Sequence, residues 1–346
     1  MATVRIISAS DERAVSRIAS APERRDARVA AAVERIVADV RRRGDAAVKA
    51  YARRFDGFEG PMEVSRDEID AAVRQTPPAV RRALRTAAVN IRKVARRQVP
   101  KPVVTTVVPG VVIEQAVSPL RRVGCYVPAG RYPLPSSLLM TAIPARAAGV
   151  AEVVAVCPRP APVVLAAARE AGVDRIFRIG GAQAIAALAY GTATVPRVDK
   201  IVGPGSRYVA EAKAIVSRDC AIDFHAGPSE IVIVSDLTSA RWVAADMLAQ
   251  AEHDVDARAI FVTTKPALAR AVQRAIDARL PAAGPARTAL AARGAIIVAR
   301  SRAEAIDVTD RLSPEHLCAT TRKSQRPFVP ARRLSAPGAR RPPATM

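Results

Sequence analysis

At 346 residues, half of them hydrophobic and only 3% aromatic, the chain can hold two core-bearing domains whose interiors must be built from Ala, Val, Leu and Ile. No apolar run approaches the roughly 18 residues of a spanning helix, and the opening MATVRIISASDERAV carries no apolar leader, so a cytoplasmic protein without a membrane partner is expected. The net charge of +22 raises nucleic-acid binding, yet 47 of the 54 basic residues are arginine, spread along the chain without aromatic interleaving; GC-rich coding bias fits better and no nucleic-acid partner is expected.

The first elements in chain order are a short β-like run, VRIIS, and then a helical pattern from Pro22 to about Phe55 with Val, Ile and Ala at three-to-four spacing. Gly44-Asp45 should break this pattern into two helices and Gly57 should stop the second. Ser65 and Glu68 have capping-box spacing ahead of another helix, and Pro78 to Arg97 reads as a further amphipathic helix. From Pro100 the β-branched run VVTTVVPGVVIEQ predicts a hairpin.

Strands and helices then alternate at intervals of about 25 residues, the pattern of βαβ units on a parallel sheet. The strands are VGCYV, EVVAVCP, RIFRIG, KIVGPG, IVIVSD, RAIFVTT and AIIVA, each followed by an Ala-rich helical segment. The four cysteines are widely separated, as expected for reduced thiols rather than a disulfide framework. The last 29 residues hold seven basic residues, five prolines and no acidic ones, and are expected to be disordered.

Several residues are candidates for chemistry. Two glycine turns, Gly180-Gly181-Ala182-Gln183 and Gly203-Pro204-Gly205-Ser206, sit between strand ends and helix starts, where backbone can approach a pyrophosphate. Neither is a complete dinucleotide fingerprint, and each alone is more often a tight turn. Gln250 and His253 lie three apart at the end of a predicted helix, on one face, as metal ligands or as an ordinary exposed pair. Glu315-His316 pairs a carboxylate with the residue type that titrates nearest neutrality, suited to acid–base work. His225, the remaining histidine, precedes a Gly-Pro-Ser-Glu turn and reads most simply as structural.

The order and wording of six segments, VGCYVPAGRYPLPSS, IGGAQAIAALAYGT, VDKIVGPG, IDFHAGPSE, LAQAEHD and LSPEH, closely resemble histidinol dehydrogenase, and the likeness runs from the N-terminal helices to Leu317. The resemblance implies a zinc-dependent homodimer that oxidises L-histidinol to L-histidine through an aldehyde in two NAD-dependent steps. It implies two incomplete Rossmann-like domains. Residues 22–125 with 230–317 would form the first, carrying the zinc and catalytic residues; 126–229 would form an inserted second on the NAD side; 1–21 would be an N-terminal segment and 318–346 an aberrant tail. Carried onto this chain, Tyr126, Gln183 and Ser206 are expected at NAD, and Ser229 at the substrate. Gln250 and His253 are expected at zinc and bordering substrate, with Glu315 and His316 as the catalytic pair.

Two departures from the family pattern stand out. Ser206 occupies a position where the family usually has Asn, and a hydroxyl offers fewer hydrogen bonds than an amide, so weaker NAD binding is expected. No Asp, Glu or His follows His316, whereas the family draws further zinc and substrate ligands from that region. The expectation is therefore a half-built zinc site, low or absent activity, and loss of the family dimer. An alcohol dehydrogenase of the same family with another substrate, and a non-catalytic protein of the same fold, are the alternatives.

Overall fold

The computed structural model describes residues 4–19, 26–129, 132–224 and 229–320. Its strands in chain order are β1 (Arg5–Ser8), β2 (Val103–Val108), β3 (Val111–Gln115), β4 (Arg122–Tyr126), β5 (Glu152–Val156), β6 (Arg175–Phe177), β7 (Lys200–Val202), β8 (Ala221–Ile222), β9 (Glu230–Ser235), β10 (Arg258–Thr263), β11 (Ala295–Val298) and β12 (Leu317–Thr320). Contacts divide the chain into two compact units, Arg25–Ala226 and Met1–Arg24 with Gly227–Met346.

The unit Arg25–Ala226 is built on a parallel sheet in the order β6-β5-β4-β7-β8. The chain enters at the centre with β4, moves outward through β5 and β6, then crosses to β7 and β8 on the other side. That reversal falls between β4 and β7, whose carboxyl ends are the usual ligand position in such sheets. Period-two alternation splits each strand between two cores: Val153 and Ala155 of β5 join one, Val154 and Val156 the other. The helices Pro135–Ala147 and Pro162–Ala171 cover one face, with Arg66–Gln75 and Pro78–Gln98 packed on them. The helices Gly181–Tyr190 and Arg207–Val216 cover the other, with Ala27–Arg43 on them.

Local signals in this unit act as read. Gly44 adopts φ 54° between the helices Ala27–Arg43 and Asp45–Tyr51, a conformation that costs an L side chain energy. The second helix widens into a π-helical turn, Ala52–Asp56, that ends at Gly57. The Ser65 hydroxyl accepts from Glu68 N at 3.2 Å while the Glu68 carboxylate accepts from Ser65 N at 2.8 Å, a complete capping box. The β2–β3 hairpin forms, with every residue of both strands exposed.

The other unit repeats the plan with the parallel order β1-β11-β10-β9-β12. The chain enters at β9, steps outward to β10 and β11, and returns to place β12 on the far side of β9; β1 adds the opposite edge. The helices Ala240–Ala251, Pro266–Asp277 and Ala286–Arg293 bury one face around Phe261 and Met247. The helices Glu12–Ala19 and Arg302–Leu312 bury the other through Val15 and Val308. Phe261 and, in the first unit, Phe177 are fully buried, worth about 2–3 kcal/mol each in transferred apolar surface.

Two sequence expectations are corrected. Residues 27–98, placed by the resemblance with 230–317, instead pack on the sheet of the 126–226 region. An amphipathic helix declares its apolar face but not which of two similar sheets receives it. Composition places the start of the tail at Cys318, yet Leu317–Thr320 pairs in register with β9, whose edge offers unpaired backbone groups to any extended segment. The disorder expected for 321–346 lies outside the described residues, as does His225. The helix Glu12–Ala19 was not anticipated, although Asp11, which accepts from Ala14 N at 3.0 Å, is an N-cap signal.

Candidate active site

In the unit that holds them, the substrate, metal and catalytic candidates gather at one edge of the sheet. Ser229 precedes β9, Gln250 and His253 precede β10, and Glu315 and His316 precede β12. All three strands run parallel, so all five residues lie at the amino edge, opposite to the carboxyl edge where doubly wound sheets usually bind ligands. Register makes the neighbours: Glu230 is paired with Arg258, and Val232 with Leu317. Ser229, His253, Glu315 and His316 are exposed and Gln250 is half-buried.

Backbone bonds fix this edge. Ser229 O accepts from Arg258 N at 3.0 Å, and His316 O accepts from Val232 N at 2.9 Å. The His316 ring places Nδ1 3.2 Å from Glu230 O and 4.0 Å from Glu315 Oε2. A carbonyl only accepts, so Nδ1 carries a proton, and in the neutral form of the ring the Nε2 lone pair is left free. Glu315 is anchored through its backbone, with N donating to Glu230 Oε1 at 2.8 Å.

Gln250 and His253 do not share a helical face as the spacing predicted. The helix stops at Ala251 with Glu252 as its C-cap, so Gln250 sits in the last turn and His253 beyond it. His253 N bonds back to Gln250 O at 3.2 Å, and its Nδ1 lies 2.9 Å from Ala249 O. The same carbonyl logic puts a proton on Nδ1, so in the neutral form of the ring Nε2 is free, the arrangement that metal-ligating histidines use. Two donors are nevertheless fewer than a zinc shell needs. Among the described residues no group of three or more His, Cys, Asp or Glu is placed to hold a metal ion. The residues present fit part of a zinc site only.

The NAD-side candidates lie at the carboxyl edge of the other unit's sheet, at the β4/β7 reversal. Tyr126 ends β4, and its hydroxyl accepts from Gly181 N at 3.1 Å. Burial pushes the Tyr126 phenol up to about 12, with the Gly181 N–H pulling the other way, so it stays a neutral hydroxyl. Gln183, only 1% exposed, turns its amide oxygen back onto Gly181, which has φ 62°. Tyr126 and Gln183 therefore meet around the start of one helix. Ser206 is the exposed N-cap of Arg207–Val216 and makes no side-chain capping bond, which leaves that helix N-terminus open to an anion. Gly203, at φ 116°, packs so closely that a Cβ would stand 2.3 Å from Tyr126 O. Gly181 N and Gly203 N are already bonded to Tyr126 and Asp223, so the uncapped helix start at Ser206 is the part of this edge that suits a pyrophosphate.

Residues that sequence reading passed over hold both edges. The Lys213 amine, 3% exposed, donates to Gly203 O at 3.0 Å and pairs with Asp223, whose Oδ2 accepts from Gly203 N at 2.8 Å. At the amino edge of the other sheet, Glu230 and Arg258 form an ion pair, each about 15% exposed at the side chain. Asp223 and Glu230 both stand inside the IDFHAGPSE segment, so the motif carried the signal without its meaning. Cys125, Cys157 and Cys220 are buried free thiols, pushed by burial to about 12, 11 and 11, and so are poor nucleophiles. No helix among the described residues is long and apolar enough to cross a membrane.

A family model described as histidinol dehydrogenase matches residues 19–331. The histidinol dehydrogenase of Geobacter sulfurreducens is 47% identical over 293 residues, 81% of this chain and 68% of that protein. That of Syntrophotalea carbinolica is 49% identical over 289 residues, 80% of this chain and 67% of the relative. The crystal structure of histidinol dehydrogenase from Elizabethkingia anophelis matches with a TM-score of 0.87 at 30% identity, covering 93% of this chain and 77% of that one. The chain belongs to the histidinol dehydrogenase family, NAD-dependent oxidoreductases of histidine biosynthesis.

Proposed function

We propose that this chain carries the residues for both oxidations of L-histidinol in the cytoplasm, and that its hold on zinc is weak. The alcohol loses a hydride and a proton to give the aldehyde; the aldehyde adds water and loses a second hydride and two protons to give the carboxylate. NAD, when bound, accepts the hydride of each step. Tyr126, Gln183 and Ser206 would hold it, with the open helix N-terminus behind Ser206 taking the pyrophosphate charge.

His316 would act as the base for the hydroxyl proton through Nε2, since Nδ1 is committed to Glu230 O at 3.2 Å. Glu315 would take the proton from water as it adds to the aldehyde, its backbone held by the bond from its N–H to Glu230. Ser229, Gln250 and His253 would position the substrate, and positioning alone can supply much of a barrier reduction. The observation that carries this reading is the shared amino edge: three strand starts bring Ser229, the Gln250–His253 pair and Glu315–His316 together.

Zinc is the weaker part. Gln250 and His253 suit two positions of its shell, and within these 346 residues nothing after His316 is Asp, Glu or His. No proton or hydride step is assigned to the metal. The experiment is NADH formation from L-histidinol by the 346-residue chain, with His316→Gln and a panel of other amino alcohols alongside. Slow turnover selective for L-histidinol and abolished in His316→Gln supports the proposal; turnover unchanged in His316→Gln refutes it.

A further inference from the structure

The amino edge has a hub that none of the assigned roles uses. Glu230 opens β9 and touches both catalytic candidates: its backbone O receives His316 Nδ1 at 3.2 Å and its Oε1 receives Glu315 N at 2.8 Å. Its Oε2 pairs with the Arg258 guanidinium, and Arg258 Nη1 donates to Ile18 O at 2.9 Å. The cross-strand register places Arg258 directly opposite Glu230, and the Arg258 backbone N also holds Ser229 O at 3.0 Å. The pair is mostly shielded, with side chains 15% and 16% exposed for Arg258 and Glu230. One carboxylate therefore ties the start of β9, the start of β10 and the Glu315–His316 turn ahead of β12.

We propose that Glu230 is a positioning residue, its carboxylate holding the Glu315–His316 turn so that His316 stays in the Nδ1–H tautomer with Nε2 free. The physical requirement is specific. Glu315 N donates to this carboxylate at 2.8 Å in an exposed turn, so the fixed position of the carboxylate, rather than burial, ties the turn to β9. Without that acceptor the turn can leave β9, and the His316 ring leaves the Glu230 carbonyl with it. Arg258 fixes the other carboxylate oxygen, so the acceptor does not rotate away. Glu230→Gln keeps an oxygen for Glu315 N and loses both the charge and the acceptor toward Arg258. Glu230→Ala loses the oxygen for Glu315 N as well.

The inference rests on the proposed base role of His316 for its effect on rate, but not for its effect on the ring. The chain has only three histidines, so long-range proton–nitrogen correlation spectra can assign His316 by comparison with His316→Gln. The parent and Glu230→Gln should show the Nδ1–H tautomer at His316, and Glu230→Ala a mixture of tautomers. Glu230→Asp, one methylene too short to reach Glu315 N and Arg258 together, should also show the mixture, and serves if the Ala variant does not fold. Where the parent turns over, Glu230→Ala should lower kcat about tenfold to a hundredfold with KM for NAD unchanged. A parent without turnover refutes the catalytic reading while the tautomer comparison still decides this one. A folded Glu230→Ala or Glu230→Asp chain with the His316 tautomer unchanged, or Glu230→Gln as disturbed as Glu230→Ala, overturns the proposal.

Discussion

Replacing Lys213 by Met tests whether the Gly203 turn on the NAD side is held by a buried charge. The Lys213 side chain is 3% exposed and Asp223 18% exposed. Met matches the length of the lysine stem but removes the amine that serves Asp223 Oδ1 and Gly203 O. Removing one partner of a buried pair costs about 3–5 kcal/mol because the other charge is stranded. Asp223 keeps two donors, Gly203 N and Phe224 N, each at 2.8 Å, and some solvent. The low end, about 3 kcal/mol, is therefore expected. Amide hydrogen exchange of the helix Arg207–Val216 measures it, since that helix carries Lys213. Lys213→Met with Asp223→Asn removes the stranded charge, and should recover about 1–2 kcal/mol of the loss as coupling. NAD affinity should fall as well, because the Gly203 backbone that packs on Tyr126 loses its carbonyl anchor. A loss below about 1 kcal/mol with no coupling and unchanged NAD affinity would refute the reasoning.

Other predictions follow from single features. Ser206→Asn adds donors and an acceptor at an open N-cap, so the NAD Kd by calorimetry should fall about 2- to 10-fold; no change would place Ser206 away from the cofactor. The hydrogen bonds from Arg175, at 2.8 and 2.7 Å, hold the Glu63 carboxyl below its ordinary 4.5 against an opposing desolvation. Both side chains are more than a third exposed, so Glu63→Gln should cost only about 1 kcal/mol near neutrality. A lowered carboxylate pKa stabilises fully above the unfolded value and loses that contribution as pH falls through the folded one; the stability gap to Glu63→Gln should hold from neutrality down to about pH 5 and close below 4.5. The β2–β3 hairpin leaves Val104 and Val112 64% and 60% exposed, an apolar edge prone to pair with another copy. Concentration-dependent self-association by size-exclusion chromatography with light scattering should weaken in Val104→Lys with Val112→Lys; a clean dimer unaffected by the change counts against it.

Much of the fold was legible because its signals are local. Gly44 and Gly57 break helices by their own backbone freedom, Ser65 and Glu68 cap by their own spacing, and the alternation of β-branched strands with Ala-rich helices follows the period of each element. The allocation of the N-terminal helices was not legible, since both sheets present apolar faces of the same composition. β12 was hidden by its neighbours: Cys318, Ala319 and Thr320 run straight into Arg322 and Lys323, and composition read the whole stretch as tail. At the site, the motif residues were visible and their supports were not. Glu230 and Asp223 act through partners 28 and 10 residues away, Arg258 and Lys213, and only the register and the crossing of the chain bring those partners in. His253 falls two residues beyond the helix, which ends at Ala251 without a Gly or Pro to mark it.

Zinc binding by the 346-residue chain tests the central claim most directly. The chain would be saturated with zinc, desalted, and assayed for metal content together with NADH formation from L-histidinol. A shell of Gln250, His253 and water should lose its metal on desalting, leaving well under one zinc per chain and slow turnover, with His253→Ala lowering the retained metal further. One zinc retained per chain with rapid turnover would contradict the account.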